Sequence, residues 1–187
     1  PDRIEAGTFL MAAAITRSTL RVEPVVPEHL NSVLQKLRDC GCQLDINNGG
    51  ITIKPGEIKA VDVITQPFPG FPTDLQAPFM ALMATAQGTS VITEKIYENR
   101  MQHVAELQRM GASIRIEGST GIVEGVPRLS GAPVTGSDLR ASAAMVLAAL
   151  AADGTTQVSG LEHLDRGYAD IEAKLNQVGA SVSRQQS

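Results

Sequence analysis

Aromatic residues, cysteine and clustered charge are all scarce in this sequence. There is no tryptophan, and 187 residues hold only two tyrosines and four phenylalanines, so a core must be packed from alanine, leucine, isoleucine, valine and methionine. Cys40 and Cys42 flank Gly41 with no second cysteine pair, and only His29, His103 and His163 accompany them. Zinc-type spacing is therefore missing, the thiols are expected to be reduced structural residues, and neither metal nor cofactor is expected. With 16 basic against 20 acidic residues, a net charge of −4 and scattered arginines, the chain lacks the concentrated basic surface that nucleic acid requires. The longest apolar stretch, Ala141 to Ala152, falls short of the roughly 20 residues that cross a bilayer. Pro1 to Glu5 has neither the basic start nor the apolar run of a secretory leader, so a cytoplasmic location and no membrane partner are expected. There is also no phosphate-cradling G-x-x-x-x-G-K, no dinucleotide fingerprint and no Ser/His/Asp set.

What the chain does have is repetition. A small-residue apolar helix, a tight turn, a β-rich strand, a polar helix ending in a small turn and another strand recur three times. The apolar helices read "FLMAAAI", "LQAPFMALMATA" and "ASAAMVLAALAA". Being apolar nearly all round, they belong in an interior, packed on one another. Each polar helix carries a single apolar stripe: Leu30, Val33, Leu34, Leu37; then Val104, Leu107, Met110; then Ile171, Leu175, Val178. The glycines that follow, Gly41, Gly111 and Gly179, suit left-handed C-terminal caps. Turn-to-turn intervals agree: Ser18 to Gly41 and Gly88 to Gly111 each span 23 residues, and Gly154 to Gly179 spans 25.

The first two copies add a strand, "GGITIKP" and "TGIVEGV", whereas the third reaches Ser187 where that strand should begin. Either the third unit has an open edge or its strand comes from elsewhere in a longer polypeptide. The expected fold is thus α/β (α+β): one domain, residues 1–187, of three βαβαββ-type repeats at about 1–56, 57–127 and 128–187. The apolar helices lie inside, the sheets around them, and the last repeat lacks a strand.

Four polar motifs fall at expected helix starts or loops: "FPTDLQAP", "IYENR", "SDLRAS" and "DRGY". Asp74 follows Pro67, Phe68, Pro69, Phe71 and Pro72. It reads either as a first-turn acid of a helix capped by Thr73 or as a base braced by a stiff, water-excluding loop. Asp138 holds the same position in the third copy, with Arg140 two residues on; it too could be one acid in a helix start capped by Ser137. Arg100 and Arg166 open equivalent polar helices, where the dipole does not favour a cation. They either pair with the neighbouring Glu98 and Asp165 or grip an anionic ligand, phosphate or carboxylate, in two-pronged fashion.

At "PTDLQA", "ENRMQHVAELQRMGA", "SDLRASAAMVLAAL" and "HLDRGYADIEAKL" the chain closely resembles the enolpyruvyl transferase family, and within it the UDP-N-acetylglucosamine 1-carboxyvinyltransferases. The resemblance runs the whole length. It implies two inside-out α/β domains of three units each, with this chain supplying most of one and the second domain absent. It also implies transfer of the enolpyruvyl group of phosphoenolpyruvate to the 3-hydroxyl of UDP-N-acetylglucosamine with release of phosphate, the committing step of peptidoglycan synthesis. Asp74 would bind that hydroxyl and take its proton, Ile96 would touch the nucleotide sugar through its main chain, and Arg166 would reach phosphoenolpyruvate. Asp138 and Arg140 would line the closing face between the domains, while Arg100 stays a substrate-binding candidate on its own reading as an anion-binding residue. The family's N-terminal lysine and asparagine, and the loop cysteine or aspartate that acts as general acid, belong to segments outside this chain, so the chain alone is expected to be inactive or nearly so. The alternatives are a shikimate-pathway enolpyruvyl transferase and a non-catalytic repeat module that binds a partner.

Overall fold

Asp2 starts the first helix, α1 (Arg3–Ile15), by accepting the Ile4 amide at 2.8 Å, one of the donors a helix leaves unpaired. The structure, a computed structural model, describes residues 1–185. After α1 come β1 (Leu20–Val22), α2 (Asn31–Asp39), β2 (Cys42–Asn47) and β3 (Gly50–Pro55). Next are β4 (Val63–Ile64), a 3-10 turn (Thr73–Leu75), α3 (Gln76–Met83), β5 (Thr89–Thr93), α4 (His103–Arg109), β6 (Ser113–Glu117) and β7 (Thr120–Glu124). The last stretch holds β8 (Leu129–Ser130), β9 (Pro133–Thr135), α5 (Leu139–Ala151), β10 (Ala152–Asp153), β11 (Gln157–Ser159), α6 (Leu161–Leu164) and α7 (Ile171–Gln177).

The helices without a polar face are the interior. Every residue of α3 is buried, and α3 packs on both α5 and α1. Alanines 81, 143, 144 and 148 are fully covered and let the helix axes approach, while Phe79, Met80, Leu10 and Met11 fill the space between. Burying a side chain of that size contributes roughly 1.5–3 kcal/mol. The fold is therefore mixed α/β, with α1, α3 and α5 packed together in its interior. In one sheet β3 lies between β1 and β2, all antiparallel. In another, β5, β7 and β6 repeat that order, with β4 added parallel to β5. The pairs β8 with β10 and β9 with β11 are parallel.

Gly41, Gly111 and Gly179 have φ of 108°, 93° and 99°, the left-handed caps expected. The Ala112 and Ala180 amides close the caps of α4 and α7 on Leu107 and Leu175 carbonyls at 3.0 Å each. Cys40 and Cys42 are buried free thiols; Cys40 donates to the Leu37 carbonyl, and its thiol is pushed up by its hydrogen bond with Cys42 and by burial.

Three local expectations need correcting. The segment "GASVSR" after α7 forms no strand among the described residues: its counterparts β2 and β6 are each held by a neighbour, β3 and β7, that the third unit lacks. The second polar helix starts at His103 rather than Arg100, which sits in the turn before it. The second apolar element begins as a 3-10 turn, so α3 proper starts at Gln76 and Thr73 caps nothing.

For the site, the decisive feature is a pair of parallel crossovers, β4–α3–β5 and β9–α5–β11. Parallel neighbours send their C-terminal ends to the same edge, and in α/β sheets ligands are met beyond those ends. There the loops bearing Asp74, Ile96 and Arg100, and those bearing Asp138, Arg140 and Arg166, leave the strands.

Candidate active site

Asp74 lies in the 3-10 turn between β4 and α3 and is partly open to solvent, its side chain 35% exposed. It neither caps a helix nor pairs with a sequence neighbour. Its Oδ1 receives Arg100 Nη1 at 3.1 Å and lies 3.3 Å from Arg140 Nε. The arginines are 17% and 16% exposed and come from separate segments, Arg100 from the turn between β5 and α4 and Arg140 from the first turn of α5. Oδ2 has no hydrogen-bond partner among the described residues, so the carboxylate is held by one oxygen and presents the other. Arg100 also stacks on Tyr97, its guanidinium carbon 4.8 Å from the ring centroid.

The brace before Asp74 divides its work. Phe71 turns inward, 4% exposed, edge-on to Phe79 at 5.3 Å, and is part of the core rather than a wall against water. Phe68 is 61% exposed with Arg3 over its ring at 5.4 Å.

Asp138 is itself the N-cap of α5, accepting the Arg140 amide at 2.7 Å and the Ala141 amide at 2.9 Å; Ser137 does not fill that role. The cap aims the first turn, and with it Arg140, at Asp74. Arg140 Nη1 also reaches Tyr168 Oη at 3.5 Å, and Tyr168 shares a 2.8 Å hydrogen bond with Thr8 of α1. Burial pushes the Tyr168 phenol up, against the pull of Thr8 and Arg140. The "DRGY" turn thus packs on the start of α5, close enough that a methyl on Gly167 would lie 2.7 Å from Leu139.

Arg166 is exposed in that turn and makes no ion pair among the described residues. Asp165, its expected neighbour partner, pairs instead with Arg184 at 2.8 Å. Among the described residues Arg166 makes no hydrogen bond or ion pair with Asp74, Arg100 or Arg140, so it is not a member of that cluster. Ile96 is 42% exposed. Its amide donates to Glu94 at 2.9 Å, which leaves the carbonyl as its available main-chain group.

Glu94, Thr73 and Tyr168 were not singled out as functional by sequence reasoning. Tyr168 sits in a quoted motif and is one of two tyrosines, which is a usable signal. Glu94 gives none: an acid after a strand reads as solvated, yet it is 4% exposed and accepts four hydrogen bonds. Among the described residues no group of three or more His, Cys, Asp or Glu could hold a metal, and no helix is long and apolar enough to cross a membrane.

His103, on α4 beneath this site, is 2% exposed with Nε2 3.2 Å from Met80 Sδ. Burial lowers its pKa from the usual 6.5 to about 4; Asp138 and Glu94 oppose this shift and Arg100 adds to it. Because the folded value lies below the unfolded one, the unfolded chain takes up a proton between pH 6.5 and 4 that the folded chain refuses. Stability should be level above about pH 6.5 and about 2 kcal/mol lower at pH 5 than at pH 7 from this group. Urea unfolding at the two pH values checks it, with His103→Gln expected to flatten the difference.

Residues 1–175 match the family described as EPSP synthase (3-phosphoshikimate 1-carboxyvinyltransferase). The chain is 81% identical over 186 residues to the UDP-N-acetylglucosamine 1-carboxyvinyltransferase of Parasynechococcus marenigrum, covering 100% of this chain and 43% of that protein. It is 74% identical to the enzyme of the same name from Prochlorococcus marinus strain MIT 9313, again over 100% of this chain and 43% of that one. Among solved structures it superposes on the enolpyruvyl transferase NikO of Streptomyces tendae with a TM-score of 0.87 at 29% identity, covering 97% of this chain and 43% of that one. It superposes on an EPSP synthase from Acinetobacter baumannii with a TM-score of 0.71 at 20% identity, covering 98% and 44%, a likeness of fold. The chain spans less than half the length of these relatives.

Proposed function

Since the chain belongs to the EPSP synthase (3-phosphoshikimate 1-carboxyvinyltransferase) family, we propose that it is most of one domain of a UDP-N-acetylglucosamine enolpyruvyl transferase. The observation that carries this reading is the 81% identity, over the whole chain, to a protein of that name. The shikimate-pathway alternative has a weaker claim: the structural likeness to an EPSP synthase stands at 20% identity. The substrates are then UDP-N-acetylglucosamine and phosphoenolpyruvate, and the partner is the second domain of the same polypeptide.

In this reading the 187 residues form one domain of three repeats, 1–56, 57–127 and 128–187, arranged as an inside-out α/β barrel. The central α1, α3 and α5 and the shared order β1–β3–β2 and β5–β7–β6 support it. A groove of about 1500 Å³ beside α5 to α7, lined by Phe9, Val146, Leu150, Leu164, Ile171 and Leu175, suits a strand from the rest of the polypeptide.

The site residues take the following parts. Asp74 Oδ2, the free oxygen, accepts the sugar 3-hydroxyl and takes its proton while Arg100 and Arg140 hold Oδ1. The alkoxide oxygen bonds to the central carbon of phosphoenolpyruvate, and a general acid from the other domain protonates the methylene. Loss of a proton from the new methyl group then expels phosphate and restores the double bond. Arg166, exposed and without an acidic partner among the described residues, supplies a positive charge for the phosphate or carboxylate, and Arg100 and Arg140 neutralise the remainder. The Ile96 carbonyl meets the nucleotide sugar, and Asp138 keeps Arg140 aimed. Closure of the two domains would exclude water and complete the set, in the soluble, cytoplasmic setting such substrates occupy.

Phosphate release by the full-length enzyme tests the reading. It should occur with phosphoenolpyruvate and UDP-N-acetylglucosamine and not with shikimate 3-phosphate; the reverse preference would assign the chain to the shikimate reaction.

A further inference from the structure

One buried carboxylate underlies both substrate-facing loops. Glu94 follows β5 directly, is 4% exposed, and has no cation within ion-pair distance among the described residues. Its Oε1 accepts the Thr65 hydroxyl at 2.7 Å and the Ile96 and Tyr97 amides at 2.9 and 3.1 Å. Its Oε2 accepts the Thr73 hydroxyl at 2.9 Å. Thr65 in turn receives the Lys95 amide at 2.8 Å, so the loop after β5 is bound to the end of β4.

The Thr73 hydroxyl has a single proton and gives it to Glu94. Its lone pairs must therefore face the other way, and there Arg100 Nη1 donates at 2.9 Å. The same Nη1 reaches Asp74 Oδ1 at 3.1 Å. A directed relay thus runs from Glu94 through Thr73 and Arg100 to the oxygen that anchors Asp74. Burying a carboxylate is costly unless every lone pair is used, and a loop staple alone could be made from neutral groups. What a carboxylate adds is an acceptor that cannot donate, which fixes the direction of the Thr73 proton.

Resting on the reading of Asp74 as the base, we propose that Glu94 and Thr73 are positioning residues for the reaction. Glu94 orients the Thr73 hydroxyl, Thr73 orients Arg100, and Arg100 keeps Asp74 Oδ2 turned towards the ligand. The opposite oxygen of Glu94 holds Ile96 in place, so one side chain sets the spacing between base and sugar contact.

The chemistry of the substitutions separates this from simple loop stapling. In Glu94→Gln the amide oxygen can keep the Thr65, Ile96 and Tyr97 donors, but the amide nitrogen then faces Thr73 and can only donate. Thr73 cannot serve as acceptor to both that nitrogen and Arg100 without orphaning its own proton. Thr73→Val removes the hydroxyl at nearly constant volume, and Thr73→Ser keeps it.

In the full-length enzyme, Glu94→Gln and Thr73→Val should each lower kcat about tenfold to a hundredfold, the cost of a misplaced catalytic group. KM for UDP-N-acetylglucosamine should stay within about threefold, because the Ile96 side of Glu94 is retained. Thr73→Ser should hold kcat within about twofold, and the double variant should be no slower than the slower single one, as members of one relay do not add. Wild-type kcat in Thr73→Val, an equal loss in Thr73→Ser, or additive losses in the double variant would each overturn the proposal. Thr73→Val is the variant that carries the test should Glu94→Gln fail to fold. Asp74→Asn, run alongside, distinguishes the two levels. If it is inactive while Thr73→Val is fully active, the relay alone is wrong; if it keeps full turnover, the base assignment and the relay fall together.

Discussion

Replacing Asp74 by asparagine in the full-length enzyme should cut turnover by about 10²- to 10⁴-fold, the range a positioned general base contributes, while leaving the fold and substrate binding nearly unchanged. The substitution is isosteric, and an amide oxygen can still accept Arg100 Nη1, which now lies 3.1 Å from Oδ1. What it cannot do is take a proton at the other position, because the amide nitrogen brings hydrogens of its own. Initial rates of phosphate release, read with a thermal melt of the same sample, check both halves. Full turnover at unchanged stability would remove Asp74 as base, whereas a large loss with the fold intact would leave the reading of this chain as a non-catalytic binding module without support.

The largest stability effect should come from a residue remote from the chemistry. Gly125 follows β7, and its amide donates to the Gly88 carbonyl at 3.0 Å while the next amide, Val126, donates to Ala84 at 2.8 Å. The two backbones approach so closely that a methyl at Gly125 would lie 1.5 Å from the Ala86 carbonyl oxygen. That contact is with backbone, so neither partner can swing aside, and relieving it breaks the hydrogen bonds that join the strand to the turn after α3. Gly125→Ala should therefore cost about 3 kcal/mol, at the upper end for overpacking. Gly118→Ala makes the contrast: φ is +61° but nothing lies within 4 Å, so only backbone strain of about 1 kcal/mol is expected. Urea unfolding of both variants measures the difference, and equal costs would refute the close approach.

Much of the scaffold could be read from short-range pattern. The all-apolar helices became the buried α1, α3 and α5, and the three cap glycines took the left-handed conformation that their places after α2, α4 and α7 demand. Asp74, Arg100, Asp138 and Arg140 stood out as polar residues at helix starts, and all four lie in one region of the fold. Their partners were read less well, because a sequence shows only neighbours. Sequence adjacency offers Glu98 to Arg100 and Asp165 to Arg166, yet Arg100 meets Asp74, and Asp165 meets Arg184. Neither Thr73 nor Ser137 caps a helix: Thr73 heads a 3-10 turn, and Asp138 caps α5 by itself. Among the described residues the strand expected after α7 does not form, for a related reason: propensity favours an extended chain, but only a neighbouring strand satisfies its backbone.

By itself, then, the sequence determined which helices go inside, where they stop, and which polar residues stand at their ends, since periodicity and turn chemistry act over a few residues. Only the tertiary structure decided that Asp74 is gripped on one oxygen by arginines from two separate segments, and that a buried Glu94 ties the turn bearing Asp74 to the loop of Ile96. Those meetings depend on α3 packing against α5 and on β4 lying parallel to β5, contacts whose closing partners are far apart along the chain. Charge and hydrogen bonding at this site are therefore properties of the packing, which no local pattern of residues encodes.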